Sequence, residues 1–288
     1  MNYRHAYHAG NFADVVKHAV LGRMLAHLGQ KPAAFRVIDT HAGSGVYDLA
    51  GPEAGKTGEW RDGIGRLLGH NANDLPAETR ALLAPYLDAV TALNPPGELV
   101  RYPGSPALVQ AMLRRQDRLI ACELEPQAAA ALAHQLRGDA RSKALAIDGW
   151  TALSAYVPPK ERRGLVLIDP PFEQPDELSR MAKGLETAHR KWPTGGYLLW
   201  YPIKDAAEVT SFIRKLSRLD IGKMLRIELI VATASEDLGL RGSGLIVVNP
   251  PWKLHDELKV MLPTLAVALS RGGKAMTTLE WLAGETSR

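Results

Sequence analysis

The stretch Leu165-Val166-Leu167-Ile168-Asp169-Pro170-Pro171-Phe172 decides the fold. Its apolar residues follow a glycine and stop at an acid and two prolines, a pattern typical of a strand buried on both faces of a parallel sheet. Open α/β sheets bind their ligands beyond the carboxyl ends of such strands. We therefore expect the four residues from Asp169 to Phe172 to lie at a functional site.

These four residues suit a planar base that carries an exocyclic amine. The Asp169 carboxylate can accept one N–H of the amine and the Pro170 carbonyl the other, and the prolines stiffen the turn that positions both acceptors. Phe172 offers a stacking face, worth roughly 1–3 kcal/mol per base in nucleic-acid complexes. The tetrapeptide matches the [D/N]-P-P-[F/Y/W] signature of amino-group methyltransferases that use S-adenosylmethionine; the alternative is an ordinary proline turn.

Composition indicates a globular chain of one or two domains. The 288 residues are 46% apolar and 23% charged, and the net charge of +4 permits a polyanionic partner without requiring one. The single Cys122 excludes a disulfide framework and a cysteine zinc cluster, and fits a reducing compartment. The sequence shows neither a secretory signal nor an apolar run of about 18 residues, so we expect a cytoplasmic protein without a membrane partner.

A second predicted strand runs into the glycine-containing loop Asp39-Thr40-His41-Ala42-Gly43-Ser44-Gly45. Glycines let the backbone approach a ligand closely. A dinucleotide fingerprint needs another glycine or alanine three residues on, where this chain has Asp48, and the Gly-Lys-Ser/Thr of a Walker loop does not follow. The loop therefore favours S-adenosylmethionine over NAD or a nucleoside triphosphate.

Acidic residues follow the next two predicted strands as well. Glu123 ends the strand that begins at Arg118, and Asp148 ends the strand that begins at Ala144. In nucleoside-binding sheets an acid after the second strand accepts hydrogen bonds from the ribose hydroxyls, a role that suits Glu123 better than Glu125. Asp148 suits the amino group of an adenine. One acid after each successive strand is a rather specific arrangement, and it favours a nucleoside-containing cofactor.

Residues 51–103 interrupt this pattern with many glycines and prolines and two helical patches, which predicts a helical subdomain inserted into the sheet domain. The fold class is then α/β: a Rossmann-like class I methyltransferase sheet, formed by residues 1–50 and 104–288. Directly after the insertion, Ser105 and Pro106 are the expected N-cap and first residue of a helix. The Ser105 hydroxyl could also hold a ligand.

Two further strands, Leu225–Val231 and Gly244–Val248, are expected to form an antiparallel pair at the sheet edge. The second of them ends in Asn249-Pro250-Pro251-Trp252, another full match to the signature. It follows too many strands to be the catalytic motif, whereas Asp169 comes one strand after Asp148. We therefore favour a structural turn, with Asn249 as the alternative catalytic residue and Trp252 as a possible wall of the cleft.

The N-terminal segment, residues 1–18, interleaves aromatic and basic side chains that could stack on nucleic acid and neutralise it, although docking on the domain explains them equally well. Asn11 or Asp14 can cap a helix that begins here. Three histidines, at positions 5, 8 and 18, invite a metal assignment. Because no cysteine or carboxylate completes a ligand set, we expect no metal site.

Together these segments resemble one family, the bacterial 23S ribosomal RNA adenine-N6 methyltransferases that act on adenine 2030. The resemblance runs through nearly the whole chain. The stretches that carry it are residues 3–18, 39–45, 101–106, Glu123, Asp148-Gly149, 167–172, 199–202 and 249–254. Departures are mild: Phe172 stands where many relatives carry tyrosine, and Ser44 where the loop can have alanine.

The resemblance implies direct in-line methyl transfer from S-adenosylmethionine to adenine N6 of 23S ribosomal RNA, with Asp169 as the catalytic residue. It also implies that Tyr3 touches the RNA, beside the base contacts expected of Pro170 and Phe172. The residues implied to hold the cofactor are His18, His41, Ser105, Glu123, Asp148 and Gly149. We take the chain to be a monomer, a point on which the sequence itself is silent.

Three other functions stay open at this stage. A DNA adenine methyltransferase shares the signature. A glutamine or small-molecule amine methyltransferase fits less well, since those favour asparagine in the first signature position and have little use for a basic aromatic N-terminus. From a different class, the chain could be a non-catalytic RNA-binding protein on a methyltransferase fold, against which the complete set of strand-end acids argues.

Overall fold

The computed structural model describes residues 4–69, 74–231, 240–272 and 275–284, and these contain ten strands. The strands are β1 (Arg36–Asp39), β2 (Val46–Asp48), β3 (Arg101–Pro103), β4 (Arg118–Cys122), β5 (Ser142–Leu145), β6 (Gly164–Ile168), β7 (Gly196–Ile203), β8 (Met224–Ile230), β9 (Gly242–Val248) and β10 (Met276–Ala283). Eight of them form one sheet in the order β10-β8-β9-β7-β6-β1-β4-β5, and β2 pairs with β3.

The same residues contain ten α-helices and two short 3₁₀ turns, His5–Tyr7 and Glu59–Asp62. The helices are α1 (Phe12–Gln30), α2 (Pro52–Thr57), α3 (Gly65–Leu68), α4 (Ala77–Thr91), α5 (Ser105–Met112), α6 (Pro126–Gln135), α7 (Gly149–Tyr156), α8 (Glu177–Lys191), α9 (Ala206–Leu216) and α10 (Leu254–Leu269). Among the described residues, none of these helices has both the length and the apolar character that crossing a membrane requires.

The parallel core of the sheet confirms the predicted α/β class. Strand β6 is buried at all five positions and pairs in parallel with β1 and β7, and β1 and β5 flank β4 in the same direction. In register, Asp39 lies opposite Leu167 on one side and Ala121 on the other. The carboxyl ends of these strands are therefore level, and the polar residues that follow them meet at one edge.

The far side of the sheet differs from the prediction. Strands β8 and β9 are antiparallel neighbours as expected, but β9 lies between β7 and β8, and β10 takes the edge position. The sequence does not predict strand β10, because its residues are partly or fully exposed and it lacks the apolar run of a buried strand.

The second signature match lies at the opposite edge of the sheet from Asp169. Because β9 runs antiparallel to β7, Val248 pairs with Tyr197 near the start of β7. The Asn249 side-chain amide donates to the carbonyl oxygens of Pro193 and Gly195, both at 2.8 Å. Both the alternative catalytic assignment and the suggestion that Trp252 lines the cleft are therefore wrong; this tryptophan is 82% exposed at that distant edge.

Helices α2, α3 and α4 occupy the segment between β2 and β3, where the sequence predicted helical patches. The antiparallel pair formed by Val46–Asp48 and Arg101–Pro103 brings the two ends of this helical segment together. Buried side chains of α4, Leu83 and Tyr86 among them, belong to the same apolar cluster as α1 and α10. The division into a sheet domain and an inserted subdomain at residues 51–103 stays a prediction.

Candidate active site

A cleft of about 410 Å³ opens at the carboxyl ends of the parallel strands. Asp169 and Pro170 line it from the end of β6. It is also lined by all six residues that the family resemblance assigns to a cofactor: His18, His41, Ser105, Glu123, Asp148 and Gly149. Tyr3 lies outside the described residues. The sheet thus brings together residues that are up to about 150 positions apart in sequence.

The glycine loop is tied to the end of β4. Gly43 adopts a left-handed backbone conformation with φ of 62°, and a Cβ there would stand 2.1 Å from the Tyr47 hydroxyl oxygen, so a side chain is excluded. The Gly43 N–H donates to Glu123 Oε2 at 2.8 Å. Glu125, the competing acid, uses both oxygens to accept the backbone N–H groups of Gln127 and Ala128 and so caps α6. Glu123 Oε1 accepts the Glu125 N–H at 2.8 Å, so Glu123 is the acid that is bonded to the glycine loop, and its contact with a ligand stays a prediction.

His41 is neutral, and its tautomer follows from its neighbours. The Thr40 hydroxyl donates to the Leu167 carbonyl at 2.9 Å, so it must accept from His41 Nδ1–H at 2.8 Å. His41 Nε2 is then an acceptor. It faces Gly149, where a Cβ would lie 2.8 Å from Nε2 and 2.2 Å from the Thr40 carbonyl oxygen. Glycine is thus required where α7 meets the loop.

Stability should fall on acidification because His41 and His18 are buried as neutral groups. Burial lowers the pKa of His41 from 6.5 to about 4. The unfolded chain takes up a proton in this window and the folded chain does not, so stability is full above pH 6.5 and is lost as pH falls toward 4. Relative to the variant His41→Gln, the free energy of unfolding should fall by up to about 1.4 kcal/mol per pH unit. Urea unfolding at pH 7, 6 and 5 measures this; parallel profiles would contradict it.

Asp148 belongs to a helix rather than to a strand. The predicted strand ends earlier, at Leu145, and Asp148 is the N-cap of α7, where Oδ2 accepts from the Thr151 N–H at 2.8 Å and from its hydroxyl at 2.9 Å. Asp148 caps the helix instead of ending a strand, because its side chain can accept a hydrogen bond from an amide of the first helical turn that otherwise has no partner. Oδ1 lies 3.8 Å from Arg180 Nη2. One carboxylate oxygen of Asp148 is thus held by the helix.

Ser105 is not the N-cap that the sequence predicted. Gly104 takes the N-cap position, and the Ser105 hydroxyl instead donates to Asp39 Oδ2 at 2.6 Å. Asp39 is fully buried, its Oδ1 lacks a hydrogen-bond partner, and burial raises its pKa to about 7. The buried Nε2 of His18 is likewise without a partner, while its Nδ1 bonds to the Tyr102 hydroxyl at 2.8 Å. Of Asp39 and His18 only His18 lines the cleft, so its unpartnered Nε2 is the buried polar atom that a ligand could reach.

Lys17, which is not among the site residues predicted from the sequence, holds the carboxylate that is predicted to be catalytic. Lys17, on α1, hydrogen-bonds Asp169 Oδ2 and also pairs with Asp14 Oδ1 at 2.9 Å. Its side chain is only 5% exposed. Burial opposes the charge, but the two carboxylates outweigh burial and raise the pKa of Lys17 above its usual 10.5. Asp169 is thus held in place by a buried cation.

The Asp14–Lys17 pair had a signal in the sequence. Both residues lie in the otherwise apolar first half of α1, three positions apart and hence on one face of the helix. Charged side chains inside a buried helix need partners, and the partners of Asp14 include His5 Nε2 at 2.9 Å. This spacing indicates a buried ion pair, but the third member, Asp169, becomes visible only in the fold.

Phe172 has a left-handed backbone with φ of 51°, a conformation that costs energy for a bulky residue. Its ring does not line the cleft; it packs edge-on against Trp200, with ring centroids 5.5 Å apart. The stacking role of Phe172 therefore stays a prediction. In the parts of the chain that the structure describes, no group of three or more His, Cys, Asp or Glu residues is placed to hold a metal ion.

A mostly parallel sheet with a glycine loop, strand-end acids and an Asp-Pro-Pro-Phe turn at one edge defines a Rossmann-like methyltransferase. Comparison with known proteins narrows this class. Residues 32–283 match the family described as "Ribosomal RNA large subunit methyltransferase D, RlmJ", and the chain belongs to this family.

Full-length relatives support the assignment. The proteins named "Ribosomal RNA large subunit methyltransferase J" from Escherichia coli K12 and Haemophilus influenzae are each 39% identical to this chain, over 285 and 286 residues. Each match covers 99% of this chain and 100% of the relative. A crystal structure of a Legionella pneumophila protein is 34% identical, with a TM-score of 0.87 over 97% of this chain and 99% of that one. The family and the whole architecture are thus shared.

Proposed function

We propose that the protein methylates N6 of an adenine in 23S ribosomal RNA, adenine 2030 by family resemblance, with S-adenosylmethionine as the methyl donor. One observation carries the proposal: the Asp169 carboxylate, held by Lys17 and followed by the Pro170 carbonyl, opens on the same cleft as six cofactor candidates. We further propose that the protein is a cytoplasmic monomer.

The residues of the cleft fit S-adenosylmethionine. The Glu123 carboxylate would hold the ribose hydroxyls, and Asp148 with His41 and Gly149 would hold the adenine. Ser105 and His18 would hold the methionine portion, because the buried Nε2 of His18 lacks a partner there. The glycine loop has no third glycine for a pyrophosphate. The chemistry that the bound cofactor supplies is an electrophilic methyl group on a sulfonium.

Asp169 and Pro170 would prepare the amine for attack. The lone pair of an adenine amine is delocalised into the ring. Two acceptors that bind its N–H groups by hydrogen bonds favour localisation of this lone pair on N6 as the bond to the methyl group forms. Lys17 occupies Asp169 Oδ2, which leaves Oδ1 for the substrate. Catalysis would then rest on positioning and electrostatics. In a direct in-line transfer the N6–methyl bond would form as the methyl–sulfur bond breaks, and one N6 proton would leave toward Asp169, with no covalent enzyme intermediate.

The target adenine must leave its stack to reach these acceptors. We propose that Phe172 stacks on the extruded base, with Trp200 supporting its ring at 5.5 Å. The strained backbone of Phe172 is consistent with a residue held for function. Tyr3 is proposed as an RNA contact on the family resemblance alone.

Cofactor affinity should depend on Glu123 and not on Glu125. The substitution Glu123→Gln removes the charge that strengthens hydrogen bonds to ribose hydroxyls, so we expect the Kd for S-adenosylmethionine to rise roughly 10- to 100-fold. Glu125→Gln, two residues away, is the matched control because the Glu125 side chain caps α6. Isothermal titration calorimetry measures both. Equal Kd values for the two variants would remove Glu123 from the cofactor site.

Substrate comparison separates the rival functions. The protein is incubated with S-adenosylmethionine and either an RNA or a DNA oligonucleotide of the same sequence, and digested products are analysed for N6-methylated nucleosides by mass spectrometry. We expect methylation of RNA. Methylation of DNA alone would establish a DNA methyltransferase, and failure to bind S-adenosylmethionine would favour a non-catalytic RNA-binding protein.

A further inference from the structure

Beyond the catalytic cleft, we propose that Lys204, Arg241 and Arg271 form a track that binds the backbone phosphates of the RNA strand leading to the target adenine. This inference rests on the proposed function and specifies where the RNA lies. It assigns a role to three side chains that the chemistry of the cleft does not use.

Strand topology places the three cations on the catalytic edge of the sheet. Strand β9 is antiparallel to both β7 and β8, so β7 and β8 end at the edge where β9 begins. At that edge the Arg241 N–H donates to the Ile203 carbonyl at 3.1 Å, and the Arg271 N–H donates to the Val231 carbonyl at 3.0 Å. The Val231 N–H in turn donates to the Arg241 carbonyl at 3.0 Å. Lys204 directly follows Ile203. The three cations therefore lie on neighbouring chain segments that are joined by backbone hydrogen bonds.

The track is continuous with the active site. Trp200, on β7, packs against Phe172 and lies 5.8 Å from Lys17 Nζ. Its indole N–H donates to the Ser243 hydroxyl at 2.9 Å, which joins β7 to β9. An RNA strand that leaves the catalytic turn and follows β7 and β9 therefore meets Lys204 and then Arg241.

The N-terminal segment borders the same cations. A hydrogen bond from His8 to Glu59 raises the pKa of His8, and the charge of Lys204 acts against this. Burial opposes the charge of Glu59, but His8 and Asn11 lower its pKa and Arg271 adds to that effect. Lys204 and Arg271 are thus close enough to the N-terminal segment to act on its charges.

The three cations form no ion pairs with carboxylates of the residues that the structure describes. Within the ranges that the structure describes, none of their side chains makes an ion pair or a hydrogen bond with an acid. Arg271 is half-buried over the Phe12 ring, 5.1 Å from its centroid, and its buried Nε has no partner. The neighbouring Asp205 carboxylate accepts the N–H groups of α9. Glu59 acts on Arg271 without forming an ion pair with it, and a half-buried guanidinium that forms no ion pair is costly unless a ligand such as a phosphate pairs with it.

Negative charge on the opposite side of the cleft determines on which side of the active site the RNA strand lies. The cofactor side carries carboxylates that would repel a phosphate chain, namely Glu123 and Glu125 after β4 and Asp148 after β5. An RNA strand is therefore excluded from the side of β4 and β5. It is attracted toward the side of β7, β9 and β8, where the cations lie.

The test is the triple variant Lys204→Gln/Arg241→Gln/Arg271→Gln, compared with a control triple, Lys31→Gln/Arg115→Gln/Arg137→Gln. The control removes the same charge from exposed residues in loops before parallel strands, at the opposite edge of the sheet. Binding of an unmodified 23S ribosomal RNA transcript is measured over a range of salt concentrations. Cofactor binding and turnover at saturating RNA are measured alongside.

We expect the track variant to bind the transcript roughly 10-fold or more weakly near 0.15 M salt, and the dependence of log Kobs on log salt to lose about 2 units of slope. The Kd for S-adenosylmethionine and kcat should stay within twofold of the parent protein. Affinity and slope equal to those of the control would overturn the track. If the triple variant does not fold, the double variant Lys204→Gln/Arg241→Gln carries the same test with half-buried Arg271 intact. A parent protein that fails to methylate the transcript would contradict the proposed function instead.

Discussion

The variant Asp169→Ala should lose roughly 10²- to 10³-fold in turnover, the range found when one group that stabilises charge at a transition state is removed. The substitution deletes the acceptor that we assign to the adenine amine and leaves Lys17 without one of its two partners. Because Asp169 is not assigned to the cofactor, the Kd for S-adenosylmethionine should change by less than about twofold. Single-turnover methyl transfer and calorimetry measure the two effects separately.

Asp176→Ala is the matched control for this experiment. Asp176 is an exposed carboxylate seven residues further along the same loop, and its side chain makes no capping bond to α8. It should keep normal turnover. Near-normal turnover of Asp169→Ala would remove Asp169 from the catalytic role, whereas loss of cofactor binding in that variant would reassign it to the cofactor site.

The variant Lys17→Met should lose turnover on a similar scale, roughly 10²-fold or more. Methionine fills the volume but leaves the carboxylates of Asp14 and Asp169 without their shared cation. Without this cation Asp169 is no longer held in position, so the loss should appear in the single-turnover rate of methyl transfer.

Lys183→Met, at an exposed position of α8, is the control for the removal of one lysine. A buried carboxylate left unpaired can also destabilise the fold by about 3–5 kcal/mol, so thermal unfolding is measured in parallel. The double variant Asp14→Asn/Lys17→Met removes one acid with the cation and should recover stability but not turnover. If Lys17→Met retains the activity of the parent protein, the lysine has no role in positioning Asp169.

The residues placed by strand ends could be predicted from the sequence, because a buried strand fixes where its next residue lies. Glu123 and Asp169 follow β4 and β6 directly, and both line the cleft. The glycine loop is equally local, since its backbone conformation demands glycine at Gly43. For such residues the pattern of a few neighbours is enough.

Residues placed by long-range contacts could not be predicted in this way. Lys17 meets Asp169 across 152 positions of sequence, and only the packing of α1 on the sheet brings them together. The Ser105 hydroxyl has a local use as a helix cap, yet the buried carboxylate of Asp39 competes for it and wins. Asn249 belongs to a full match to the signature, yet it is not at the site. Its strand runs antiparallel to β7, so the motif lies at the edge of the sheet opposite Asp169.

The most direct test of the account uses S-adenosylmethionine labelled in its methyl group, unmodified 23S ribosomal RNA, and the parent protein beside Asp169→Ala. After incubation the RNA is digested to nucleosides and the label is located by chromatography. We predict label in N6-methyladenosine with the parent protein and almost none with the variant. Label in any other nucleoside, or equal label with both proteins, would contradict the assignment of Asp169 and Pro170 as the site that receives the adenine amine.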